Sequence, residues 1–131
     1  MRNYDGERDW VFSPYEIGSQ LSEQYREAVR ARDREAEKRY KEELIRFYVH
    51  HGEHYKMSNT PDYDLAKRYL KRALKLDDQH PLANYRYGHL LYRDKEYEKA
   101  AYHFRKALDG NLEEGLNDSQ TLVAQMMLVN C

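Results

Sequence analysis

His50, His51 and His54 fall within five residues of one another, and imidazole is the commonest metal ligand among side chains. On a helix His50 and His54, at i and i+4, share one face and could supply two ligands. The string HHGEH is not the metalloprotease arrangement, in which Glu directly follows the first of two histidines separated by three residues. Spacing places no third ligand, although His80, His89 and His103 occur further on. The expected role is therefore structural: His51 packs in a helix pair, His50 and His54 face solvent, and neither metal nor cofactor is anticipated.

A second group is cationic. Lys67, Arg68, Lys71, Arg72 and Lys75 form a basic helical face with Tyr69 nearby, the kind of mixture that contacts phosphates and stacks on bases. Such residues are also ordinary on a solvated face, suit a helix C-terminal turn through the dipole, and are balanced by acids elsewhere. Nucleic acid is accordingly not the expected partner. Nothing suggests catalysis either: the glycines are scattered without a phosphate-cradling loop, and the single thiol, Cys131, is the last residue. Acidic residues fall on exposed helical faces beside basic neighbours. The chain is read as a non-enzyme with no catalytic residue.

The elements that position these groups follow from composition. The 131 residues carry 34% charge, only three Pro and six Gly, and thirteen Tyr, which reads as long solvated helices with seams of Tyr, Leu and Ala. A net charge of −1 gives no global pull toward nucleic acid or membranes. The first residues, MRNYDGERDW, lack the apolar region of an export signal, and one cysteine cannot form an internal disulfide. No run reaches the roughly 20 apolar residues of a spanning helix. A soluble, cytoplasmic protein that does not enter membranes is expected.

Trp10, Val11 and Phe12 are too apolar for an idle tail. Ser13-Pro14-Tyr15-Glu16 signals a helix start, with Ser as cap, Pro at the first helical position and Glu placed for a capping box. Tyr15, Ile17, Leu21, Tyr25, Ala28 and Val29 then form one seam, ending near Arg30. The charged stretch that follows keeps a stripe of Ala36, Tyr40, Leu44, Phe47, Tyr48, His51 and Tyr55. Either one helix runs on past Asp33 or the chain turns there and Asp33 caps a second helix; the turn is favoured, because a helix of over about forty residues is rare outside coiled coils. After a loop at SNTPDYD come helices at about 63–76, 82–93 and 97–108, and a final apolar helix from near Ser119. No stretch alternates at the period of a strand.

Two of these helices repeat each other. YDLAKRYLKRAL from Tyr63 lies over YEKAAYHFRKAL from Tyr97 at an offset of 34 residues, matching Ala66 with Ala100, Leu70 with Phe104 and Ala73 with Ala107. A period of this length marks stacked helical hairpins. The segment 81–108, with Gly88 in the middle of its first helix, Leu91 three positions on, and Tyr97, Ala100, Phe104 and Ala107 in its second, resembles a tetratricopeptide repeat. The preceding repeat matches through Tyr48, Gly52 and Tyr55, then Tyr63, Ala66, Leu70 and Ala73, with a two-residue insertion in its loop. Ala124 and Met127 would begin a third repeat whose second helix is missing.

The resemblance covers about residues 45–131, as some two and a half repeats. It implies an all-α solenoid of stacked antiparallel hairpins, preceded by a helical extension or cap over 1–44. It also implies a concave groove for a partner protein or peptide, lined by Arg46, Val49, Glu53 and Lys56, then Leu82, Tyr85, His89, Tyr92 and Arg93, then Thr121, Gln125 and Leu128. Tyrosines and arginines there would offer amphipathic area and carboxylate partners. Val49 and Glu53 stand where the chaperone-tail-binding subset of the family carries Lys and Asn, so that function is not implied. The function anticipated is an adaptor or assembly module. Alternatives are a peptide-sensing regulatory domain of a bacterial-type regulator, whose output is the N-terminal helices, and a self-association module forming a homodimer through the apolar last helix.

Overall fold

The computed structural model describes residues 14–57, 59–110 and 115–131, the side chains of 14–17, 56 and 57 excepted. The apolar seams become six helices: α1 (Pro14–Arg30), α2 (Arg34–Met57), α3 (Tyr63–Leu76), α4 (Pro81–Arg93), α5 (Tyr97–Leu108) and α6 (Asp118–Asn130). Among the described residues there is no strand, so the protein is all-α. None of these helices is long and apolar enough to cross a membrane. The expected Ser13 cap and the apolar Trp10, Val11 and Phe12 lie outside the described residues. The chain divides into two compact units, Met1–Phe47 and Tyr48–Cys131, and the division falls within α2.

In the first unit the charged stretch does turn at Asp33. Arg32 adopts a left-handed conformation (φ 57°). Its N–H donates to the Val29 carbonyl at 3.1 Å, and that of Asp33 donates to the Ala28 carbonyl at 3.0 Å, the Schellman pattern that satisfies the last carbonyls of a helix. The Asp33 carboxylate then accepts from the Ala36 N–H at 3.1 Å and caps α2. Ala28, Leu44 and Ile45 are buried, with Leu21 and Tyr25 half-buried. Gly18 faces Phe47 so closely that a Cβ there would lie 2.9 Å from the ring. Val29, expected on the seam, is exposed; it follows Ala28 by about 100° of helical rotation, which turns it off the buried edge.

In the second unit two hairpins are closed by the same device. A Cβ on Gly52 in α2 would lie 2.7 Å from Leu70 of α3, and one on Gly88 in α4 would lie 3.0 Å from Phe104 of α5. Leu70 and Phe104, paired by the 34-residue offset, are both fully buried. Around them Ala66, Ala73, Ala100 and Ala107 are buried too, small enough for the helices to approach and large side chains to interlock. Asp62 caps α3 by accepting from the Leu65 N–H at 3.0 Å. Between α4 and α5 the chain repeats the turn of the first unit: Lys95 is left-handed (φ 64°) and the Glu96 N–H reaches back to the Leu91 carbonyl at 2.9 Å. α3 packs on α4, and α5 packs on α6, where Ala124 is fully buried.

Helix propensity alone favours Ala over Gly by about 1 kcal/mol, but overpacking a rigid contact costs about 1–3 kcal/mol. Gly52→Ala and Gly88→Ala are therefore expected to be net destabilising, by up to about 2 kcal/mol in urea titrations, with Gly52→Ala the worse because its Cβ would meet Leu70 at 2.7 Å and the Ala66 backbone oxygen at 3.3 Å, whereas that of Gly88 meets Phe104 at 3.0 Å. Lys95→Gly should act the other way and stabilise by up to about 1 kcal/mol, since it relieves a left-handed residue bearing a Cβ; an unchanged or lowered melting temperature would contradict this.

Candidate binding surface

α4 carries more of the proposed groove residues than any other helix, so its anchorage decides where they stand. Its first turn is set by His80, whose Nδ1 accepts from the Ala83 N–H at 3.2 Å, with Pro81 at the first helical position. One turn on, Asn84 is completely buried. Its amide nitrogen donates to the carbonyls of Asp78 (3.1 Å) and His80 (2.9 Å). That leaves its oxygen to accept from His103 Nδ1 on α5, 2.7 Å away, which fixes the Nδ1–H tautomer of a neutral imidazole. Burial, helped by the nearby Lys106 ammonium, pushes His103 down to about 4. The ring stands edge-on to Tyr87 at 4.8 Å. This clasp ties the α3–α4 connection to both helices of the second hairpin.

Polar links join the two hairpins. Glu53 of α2 pairs with Arg86 of α4 at 2.5 Å. Lys67 of α3 pairs with Asp94 at 2.6 Å, and the bond raises the lysine's pKa and lowers the aspartate's. The Arg93 guanidinium lies 3.6 Å from the centre of the Tyr63 ring.

The residues expected to line the groove divide into three kinds. Val49 and Tyr85, each 5% exposed, are core rather than lining. Tyr85 packs edge-on to His89 at 4.6 Å and to Phe104 at 6.4 Å, and burial raises its phenol pKa. Glu53 is engaged by Arg86, and Arg93 by Tyr63 and by Asp94 at 3.1 Å. Leu82, His89, Tyr92, Thr121 and Leu128 are half-buried, and Gln125 is exposed; Tyr92 stands edge-on to Tyr97 at 5.1 Å. Arg46 is exposed but belongs to the first unit, and the Lys56 side chain lies outside the described residues. What reading by position missed is that the fifth residue of α4 turns inward. An aromatic at that position fits beside Phe104 because Gly88 leaves the space.

The histidine group is held by aromatics. His51 is half-buried 5.7 Å from Tyr69, which stacks on Tyr55 at 5.7 Å, while His50 and His54 are exposed. Burial lowers the His51 pKa, and its two histidine neighbours lower it further. Among the described residues no three His, Cys, Asp or Glu side chains stand together as a metal site. Of the basic face, Lys67 is used internally by Asp94, and Arg68, Lys71, Arg72 and Lys75 are exposed.

α6 presents what sequence reading only partly placed. Thr121, Ala124 and Leu128 turn inward to varying degrees, and Leu122 (58% exposed), Met126 (56%) and Val129 (85%) form an outward apolar stripe, with Val123 at its edge. Asn117 and Gln120 close a reciprocal capping box at its start.

No family model matches the chain, and comparison with curated proteins and with solved structures finds no match.

The His103 clasp makes stability acid-dependent. The ring is held neutral, with a folded pKa near 4 against 6.5 for the free side chain. Its contribution is fully present above about pH 6.5 and is lost as pH falls toward 4, where the unfolded chain binds the proton more readily. The expected loss is about 1–2 kcal/mol, the solvent-facing part of the ring being screened. His103→Gln can still donate to Asn84 but does not titrate. Its unfolding free energy, measured in urea from pH 7.5 to 4.5, should fall less steeply than that of the parent, and parallel profiles would show that the clasp is not the titrating element.

Proposed function

We propose that this chain is a non-catalytic protein- or peptide-binding module, built on tetratricopeptide-like repeats and serving as an adaptor or assembly element. The observation that carries the reading is the α6 stripe. In a chain with 34% charged residues, Leu122, Met126 and Val129 are exposed together on one helix face, and contiguous exposed apolar area of this kind marks a protein interface. The half-buried Leu82, His89, Tyr92 and Leu128 supply further apolar and aromatic area within the same unit. The repeated glycine contacts support the repeat reading, because Gly52 and Gly88, the small residues that the resemblance sets in the first helix of each repeat, both face a large side chain of the second.

A second reading, self-association, is favoured by one feature of the same helix. Leu122, Met126 and Val129 are spaced by four and three residues, as in a narrow helix–helix seam, and no charged side chain lies between Ser119 and Cys131 to repel a second copy.

The test is light scattering over a concentration series, together with binding to a peptide library, for the parent chain and for the Leu122→Ser/Met126→Ser/Val129→Ser variant. All three positions are exposed, so circular dichroism should be unchanged. A parent dimer reduced to monomer in the variant supports self-association. A monomeric parent whose peptide binding is lost in the variant supports the adaptor reading. Identical mass and identical peptide binding in the two proteins would refute both.

A further inference from the structure

α3 carries no acidic residue after Asp64. One face, anchored by Ala66, Tyr69, Leu70 and Ala73, is buried; Arg68, Lys71, Arg72 and Lys75 are exposed. Their i, i+3, i+4, i+7 spacing puts all four on one stripe, about 10 Å long. Lys75 lies in the last turn and complements the helix dipole, but Arg68, Lys71 and Arg72 lie one to two turns earlier, beyond the dipole's reach. Cations held between the two hairpins have a carboxylate: Lys67 has Asp94 and Arg86 has Glu53. Among the described residues no carboxylate stands within ion-pair distance of the four on the stripe.

The neighbouring hairpin continues the surface. At the 34-residue offset Arg68 and Arg72 correspond to Tyr102 and Lys106 of α5. Tyr102 is 51% exposed, with the Lys106 ammonium 4.6 Å from its ring centre. Lys106 also lies 3.8 Å from the carboxylate of Asp78, two residues past the end of α3, which links the Tyr102–Lys106 pair of α5 to the connection that follows the stripe. Four cations without a carboxylate, one of them (Arg72) 6.0 Å from the centre of the Tyr69 ring, call for a polyanion. An exposed ring on the neighbouring hairpin favours a polyanion in which every unit carries a flat group to stack, as nucleotides do and aspartate or glutamate residues do not.

We infer that the α3 stripe and Tyr102 form a binding surface for single-stranded nucleic acid, with Arg68, Lys71, Arg72 and Lys75 on successive phosphates and Tyr102 stacking on a base. The interaction is independent of sequence and salt-dependent, since each phosphate neutralised releases counterions. It rests on none of the residues of the α6 stripe.

The probe is a fluorescent oligouridylate of about 15 nucleotides, followed by anisotropy with the intact chain from low to moderate salt. Binding should weaken with salt at about 0.7 log units per log unit for each phosphate contact. Arg68→Glu/Arg72→Glu should weaken it more than about tenfold and flatten that slope, and Tyr102→Ala should weaken it about tenfold with the slope unchanged. Arg34→Glu/Lys38→Glu, at two exposed positions of α2, makes the same change in net charge and should leave binding close to the parent's. Equal losses in both charge-reversal variants, or no binding at low salt, would overturn the assignment. So would displacement of the probe by oligoglutamate as readily as by unlabelled oligouridylate, which would give the surface to an acidic protein segment.

Discussion

Two helices can bring their backbones together only where one of them has almost no side chain, and what is gained must be filled from the other side at once. At Gly52 and Gly88 that condition is met by Leu70 and Phe104, each seated where a Cβ would otherwise stand. The rest of the second unit follows from this spacing. Alanines at 66, 73, 100 and 107 are buried because the helices are close. Tyr85 turns in beside Phe104, and α4 is left near enough to α5 for Asn84 to reach His103. Close packing without voids makes such contacts intolerant of even one added methyl group.

Electrostatic groups divide along the same lines. Where helices meet, charges are spent on one another: Glu53 with Arg86, Lys67 with Asp94, Arg93 over Tyr63. These pairs are partly shielded from solvent, so they set register between hairpins more than they add stability. The buried amide of Asn84 belongs with them, since every one of its donors and acceptors has a partner in the protein. Charges outside these contacts are left facing water, and on α3 they are all of one sign after Asp64.

Much of this architecture was legible in the sequence because its signals are local. Periodicity, the Asp33 cap, the loop at SNTPDYD and the 34-residue offset fix the helices to within a residue or two, and α3 and α5 match in full. The small residue at the helix crossing, Gly88, was legible as well, but its partner Phe104 was not. The groove was less so. A residue's place on a repeat gives its direction but not how deep it sits, and Val49 and Tyr85 prove to be core. Asn84 carried no signal, because a polar residue near a helix start reads as solvent-facing until its partners are known. Lys67 looked like one of five equivalent cations until Asp94, 27 residues away, was brought beside it.

The turn at Asp94–Glu96 and the loop before Asp62 set how the chain reaches this state as well as what it looks like there. The pairs that define the two hairpins, Gly88 with Phe104 and Gly52 with Leu70, are only 16 and 18 residues apart along the chain. Contacts of such short range place the protein among low-contact-order topologies, which fold on the microsecond-to-millisecond scale because little loop entropy is lost before packing begins. Packing within each hairpin therefore needs only short loop closures, and the Lys67 and Arg86 ion pairs then link one hairpin to the other.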